Sequence, residues 1–227
     1  EKANCIFRQF FYTSDMKTIE VNNANIRINK NCHLLDTGNI QIATIDIVEW
    51  VEVSYCFVGK KEDVREKKYR HIKIGANTLF TGTTVLIDPI DIEIVTEICG
   101  DNATSTLDIL ALAIDSTNIS AQWIVRVREP YRHVSTRVDQ TNILIGTWAR
   151  VRGIPRLEIS TDDIEGGHSC RIHRLGGEAL FYLTSRGLTV PHAEALLLNS
   201  EIRRHLRTIE ESEMEKVCYD IHMRIKK

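Results

Sequence analysis

His71-Ile-Lys-Ile74 and its echo Asp91-Ile-Glu-Ile94 decide the fold. In each, two isoleucines alternate with polar residues. In an extended chain, period two puts both isoleucines on one face and the polar residues on the other. The same dyad stands at Asn25-Ile-Arg-Ile28 and Asn39-Ile-Gln-Ile42, with related runs at Ile45-Asp-Ile47, Trp123-Ile-Val-Arg-Val127, Ile143-Leu-Ile145 and Leu157-Glu-Ile159. The runs are brief and separated by polar residues with Asn, Asp, Thr or Gly. One-sided strands this short cannot bury their apolar face alone, whereas the stacked rungs of a β-solenoid can. The spacing between runs varies, so periodicity by itself leaves a β-sandwich open.

Beyond Gly176 the period changes from two to that of a helix. Glu178-Ala-Leu-Phe-Tyr-Leu183 reads as a helix running to Arg186 and stopped by Gly187, a residue suited to the left-handed position after a helix. Thr189 then stands as an N-cap with Pro191 in the first turn, and Ala193, Leu196, Leu197, Ile202 and Leu206 form the apolar stripe of a second helix. Glu210, Glu211 and Glu213 open a last helix that closes on Arg224, Lys226 and Lys227, an order that complements the helix dipole. The expected organisation is a β core over residues 1–175 and a small α-helical subdomain over 176–227.

Composition excludes more than it assigns. The 227 residues carry 29 Lys+Arg against 31 Asp+Glu, a formal charge of -2, so no global field marks a partner in nucleic acid or an acidic membrane surface. No run approaches the ~18 apolar residues of a membrane helix, and no secretory signal pattern opens the sequence. Six scattered cysteines without a CxxC pair suit reduced thiols, so a cytoplasmic location is expected. There is no GxxxxGK[ST] loop, which leaves any nucleotide chemistry to a partner. The charge run Lys60–Arg70 reads as a solvated tip between two coils, since its one Tyr gives no platform for stacking bases.

The segment richest in chemistry is Asp162-Asp-Ile-Glu-Gly-Gly-His-Ser-Cys-Arg-Ile-His173. Thiolate and imidazole are ligands suited to zinc, iron or an iron–sulfur cluster. If 168–173 is a strand, His168 and Cys170 share a face and His173 points away. That makes half a metal site, whose remainder must come from a neighbouring coil or another subunit. The residue types alone also allow a solvated turn with His168 satisfied by a backbone carbonyl. A Cys–His nucleophilic pair has no nameable orienting group or oxyanion donor, and no carboxylate pair recurs on solvent-facing strand positions as a polysaccharide-cleaving β-helix would need. The chain is therefore not expected to be an enzyme.

Arg137-Val-Asp-Gln-Thr-Asn-Ile-Leu-Ile-Gly146 leads into Arg152-Gly-Ile-Pro-Arg-Leu-Glu-Ile159 and His168. Then follow Glu178-Ala-Leu-Phe-Tyr-Leu-Thr-Ser-Arg-Gly187 and Ala193-Glu-Ala-Leu-Leu197. In this order the motifs closely resemble the core of the SufB/SufD family, scaffold components of iron–sulfur cluster assembly. Cys99-Gly-Asp-Asn-Ala-Thr104 is similar to a turn of the same family. The resemblance implies a right-handed parallel β-helix followed by C-terminal helices that dock a SufC-type ABC ATPase. It implies pairing of two β-helices through their last coils, as a homodimer or with a SufB/SufD paralogue. A transient cluster of unspecified type would be held at that seam and passed to apo iron–sulfur proteins.

His168 matches the family's interface histidine, so His168 and Cys170 are the expected cluster- and metal-binding residues. Cys170 stands where most relatives carry a small residue without a thiol. The SufB-type interface cysteine falls on Ala149, which brings the chain closer to SufD there and keeps a second role open: a structural subunit that binds no cluster. Cys56 and Cys99 are further candidates as sulfur acceptors.

Overall fold

The computed structural model describes residues 16–59, 66–87, 89–175 and 177–205, together with 215, 218, 219 and 223. The first strands are short: β1 (Lys17–Glu20), β2 (Asn25–Ile28), β3 (Cys32–Asp36), β4 (Ile42–Ile47), β5 (Glu52–Val58) and β6 (Lys68–Ile74). Longer ones follow: β7 (Leu79–Leu86), β8 (Ile90–Ile98), β9 (Thr104–Ile114), β10 (Asn118–Val127), β11 (Val134–Ile145), β12 (Arg150–Ile159) and β13 (Ile164–Arg174). Odd strands form one sheet and even strands the other, each in chain order and every pairing parallel. Each coil gives one strand to each sheet, which is the expected parallel β-helix. Coils lengthen along the chain, from the pairing of Lys17 with Cys32 to that of Val134 with Ile164.

The isoleucine dyads set the interior. Ile28, Ile47, Ile74, Ile98, Val127 and Ile159 stack in register through the even sheet, and the first five are buried. Each fully buried aliphatic side chain contributes about 1.5–3 kcal/mol, so the repeated dyad is the main cohesive term. On the outer face Arg27, Asp46, Lys73, Glu97, Arg126 and Glu158 form a ladder of alternating charge. Arg126 Nε donates to Glu158 Oε2 at 2.8 Å. A slip of one residue would turn every isoleucine outward and every charge inward, so both faces fix one register. Trp50, Asn77, Asn102 and His133 stack at one corner in the left-handed conformation, with φ between 56° and 62°. The Cys99-Gly-Asp-Asn segment is one of these turns.

Two expectations for the β region need correction. In Asn39-Ile-Gln-Ile42 only Ile42 enters a strand, and there it faces outward at 60% exposure, because Ala43, Ile45 and Ile47 take the inward phase of β4. In the Lys60–Arg70 run, residues 60–65 lie outside the described residues, and the end of the run is interior rather than a solvated tip. Lys68 Nζ donates to Gly38 O at 2.6 Å. Arg70, fully buried, grips the Asp36 carboxylate through Nε and Nη2. Tyr55 OH donates to the same carboxylate at 2.9 Å, and burial followed by Asp36's charge pushes the Tyr55 phenol well above its usual value.

Helices α1 (Glu178–Ser185) and α2 (Val190–His205) follow β13. After α1, Leu188 N donates to Leu183 O and Gly187 N to Thr184 O, while Gly187 has φ 93°. This Schellman closure is the stop anticipated from Gly187. Thr189 directly precedes α2, as expected of its cap. The buried face of α2 differs from the anticipated stripe: Ala193, Leu198, Ile202 and His205 are buried, whereas Leu196 is 51% exposed. Leu198 and Ile202 pack on Val85, Leu110, Leu112, Ile143 and Cys56 of the odd sheet's outer face, and His205 Nδ1 lies 3.2 Å from Asp108 Oδ1. Leu206 and most of the expected last helix lie outside the described residues. Among the described residues no helix is long and apolar enough to cross a membrane.

Candidate functional site at the open end of the solenoid

β12 and β13 are the last strands of their sheets, so each carries an edge with no further strand among the described residues. Val138 of β11 is buried in the core and pairs with His168; Gln140 pairs with Cys170, and Asn142 with Ile172. His168, Cys170 and Ile172 therefore continue the inward columns of the solenoid at the level where its mouth opens. Ser169, Arg171 and His173 take the outer face, so His173 does point away from the pair, as the alternation requires. His168 tops the column Ile19, Leu34, Tyr55, Gly82, Leu107 and Val138. His168 and Cys170 are both exposed.

His168 Nδ1 lies 3.3 Å from Pro155 O on β12, so the imidazole bridges the mouth between the two sheets. A carbonyl only accepts, which makes Nδ1 the donor and leaves the lone pair on Nε2. This is the arrangement in which a histidine is oriented as a ligand by its other ring nitrogen. Pro155 suits this edge because it has no N–H to leave unpaired there.

Below the mouth the layer is polar. Gln140 and Asn142 are fully buried; Gln140 Nε2 donates to Asn142 Oδ1 at 2.9 Å, and Asn142 Nδ2 donates to Cys170 Sγ at 3.4 Å and to Arg171 O at 3.1 Å. β12 makes room with Gly153, where a Cβ would stand 2.1 Å from Gln140 Nε2. On the outer face Ser169 Oγ donates to Asp139 Oδ1 at 2.6 Å, and Arg137 holds the same carboxylate at 2.7 and 3.1 Å. Burial pushes the Asp139 carboxyl up, but the hydrogen bonds from Arg137 and Ser169 outweigh it and hold it below its usual value.

Three other thiols have different surroundings. Burial raises Cys32 to about 11, and burial also pushes up Cys99, which is half-buried with its Sγ 3.6 Å from Glu97 O. Cys56 is buried beneath α2. Ala149 is buried against the core. Asp162 and Asp163, with Glu129 and Arg132, line a separate open cleft of about 630 Å³, where His133 Nδ1 lies 2.8 Å from Asp163 Oδ2. Among the described residues no three His, Cys, Asp or Glu side chains converge as a metal site. Sequence reasoning missed Gln140 and Asn142, although the signal was there: polar side chains occupying the inward phase set by Val138.

A two-sheet parallel solenoid whose open end offers imidazole and thiol side by side belongs to a recognisable class, and comparison with known proteins specifies it. The family model described as "SUF system FeS cluster assembly, SufBD core domain" matches residues 14–201. The chain belongs to this family. It is 34% identical over 62 residues to the iron-sulfur cluster assembly protein SufD of Escherichia coli (strain K12), which is 27% of this chain and 15% of that protein. It is 41% identical over 58 residues to an iron-sulfur cluster assembly SufBD family protein of Mycobacterium leprae, 25% of this chain and 15% of the relative. A SufBD family protein of Mycobacterium tuberculosis (strain H37Rv) is 33% identical over 108 residues, 41% of this chain and 27% of the relative. The matched stretches thus span only 15–27% of the length of these relatives.

Proposed function

We propose that this chain is a scaffold subunit on which a transient iron–sulfur cluster is assembled and from which it is passed to apo iron–sulfur proteins. The observation that carries the reading is the placement of His168 and Cys170 at the exposed end of the solenoid, with Nδ1 of His168 held and Nε2 left for a ligand. Two donors from one chain are half a coordination shell. A second subunit, identical or a SufB/SufD paralogue, docked on the β12 and β13 edges supplies the rest. Trp148 and Ile172, 72% and 56% exposed, give that end apolar surface to bury. The cluster is cargo, and the chain binds and presents it without turning over a substrate, in the cytoplasm.

The C-terminal helical subdomain, residues 176–227, docks a SufC-type ABC ATPase, whose movement shifts the paired solenoids. Phe181, Tyr182 and Leu196, 74%, 57% and 51% exposed, supply the contact surface. A second reading, a SufD-like structural subunit that binds no cluster, is favoured by Ala149 at the position of the SufB-type cysteine.

Anaerobic reconstitution with iron and sulfide separates the two. The scaffold role requires cluster absorption that is lost in the His168→Ala/Cys170→Ala double variant. Unchanged absorption in that variant defeats the site, and no absorption in the unsubstituted chain or with its paralogue favours the structural role. Removal of residues 176–227 is expected to abolish co-purification with the ATPase.

A further inference from the structure

The contacts of Asn142 fix which way its side chain faces. Arg171 O can only accept, so the group 3.1 Å from it is the amide NH2, and the side-chain oxygen is the one that takes the hydrogen bond from Gln140 Nε2. The second hydrogen of that NH2 is then the one directed at Cys170 Sγ, 3.4 Å away, and the sulfur is the acceptor. Gln140 Oε1 in the same layer is buried with no partner among the described residues.

We infer that Asn142 is a positioning residue for Cys170, aiming its sulfur at the mouth and donating a hydrogen bond that strengthens when the sulfur carries charge as a metal ligand. Gln140 orients Asn142 in turn. The inference rests on the reading that Cys170 binds metal. A donor to a ligating sulfur lowers the energy of the sulfur lone pairs and so tunes the bound metal. The chain gives two successive inward positions of β11 to amides where the neighbouring coil has Ile109 and Ala111.

Cobalt(II) alone, added anaerobically to the reduced full chain, is the probe. The unsubstituted protein is expected to show a thiolate-to-cobalt charge-transfer band that Cys170→Ser removes. In Asn142→Leu the band moves to lower energy and cobalt affinity falls roughly 10–100-fold, the range for loss of an outer-shell partner. Gln140→Leu/Asn142→Leu, which replaces both amides together and leaves neither unpaired, guards against misfolding and is expected to show the same shift. Gln140→Leu alone, which keeps the Asn142 donor but removes the contact that orients it, is expected to move the band in the same direction by less than Asn142→Leu. A Cys170-dependent band unmoved in both Asn142 variants keeps the site and overturns the positioning role. A chain with no Cys170-dependent band overturns the metal-site reading and this inference together.

Discussion

One interior column of the odd sheet begins at Asp36 and ends at Cys170, passing through Phe57, Thr84, Ile109 and Gln140. Its two ends are both polar and chemically opposite. At Asp36 the carboxylate is closed in by Arg70 and Tyr55, and the spare guanidinium hydrogens go to the carbonyls of Ile40, Gln41 and Tyr69. At Cys170 the sulfur takes one hydrogen bond, from Asn142, and the residue is exposed. A polar group saturated by its own chain has nothing left to offer a ligand. Burial and polarity alone therefore do not mark a site; unused valence at an exposed level does.

The comparison breaks hardest at the closed end. Arg70→Leu strands a buried carboxylate, and chemical unfolding should show a loss of about 3–5 kcal/mol with no change in cobalt binding at Cys170. Gly153→Ala drives a methyl into Gln140 and is expected to cost about 1–3 kcal/mol, and it should disturb the cobalt spectrum as Arg70→Leu does not. Asp139→Asn tests the outer face beneath Ser169. The folded pKa of Asp139 is depressed, so its contribution is present above the ordinary carboxylate value, about 4, and is lost as pH falls through the folded value. Urea unfolding should show a deficit below about 1 kcal/mol at pH 7 that vanishes in acid. His168→Ala, at an exposed position, should change stability by no more than about 0.5 kcal/mol while weakening metal binding. A large destabilisation there would give His168 the role of a structural strut between β12 and β13.

Much of this architecture was legible because hydrophobic alternation is a direct record of which side chains face inward. Ile72, Ile74, Ile92 and Ile94 are buried as their spacing requires. Asn39–Ile42 misled because its dyad is out of phase with Ala43, Ile45 and Ile47, and phase is decided by the whole strand rather than by two residues. Arg70 misled because a charge's burial depends on a partner thirty-four positions away, Asp36, which local reading does not reach. The stripe of α2 was displaced for a related reason: the odd sheet's outer face selects Leu198 and Ile202, and nothing in the helix's own period says which side that sheet lies on. His168 and Cys170 were identifiable from residue type and from a family resemblance, but their common outlook over the mouth needed the register with Val138 and Gln140.

The lengthening of the coils makes the two ends of the stack unlike. Among the described residues the first strands have four residues each and the last have ten and eleven. A body with one broad terminus has a single large platform for joining a like body, base to base. Under the proposed pairing, a base-to-base union uses up both platforms at once and closes at two members, whereas a head-to-tail union would run on into a fibre.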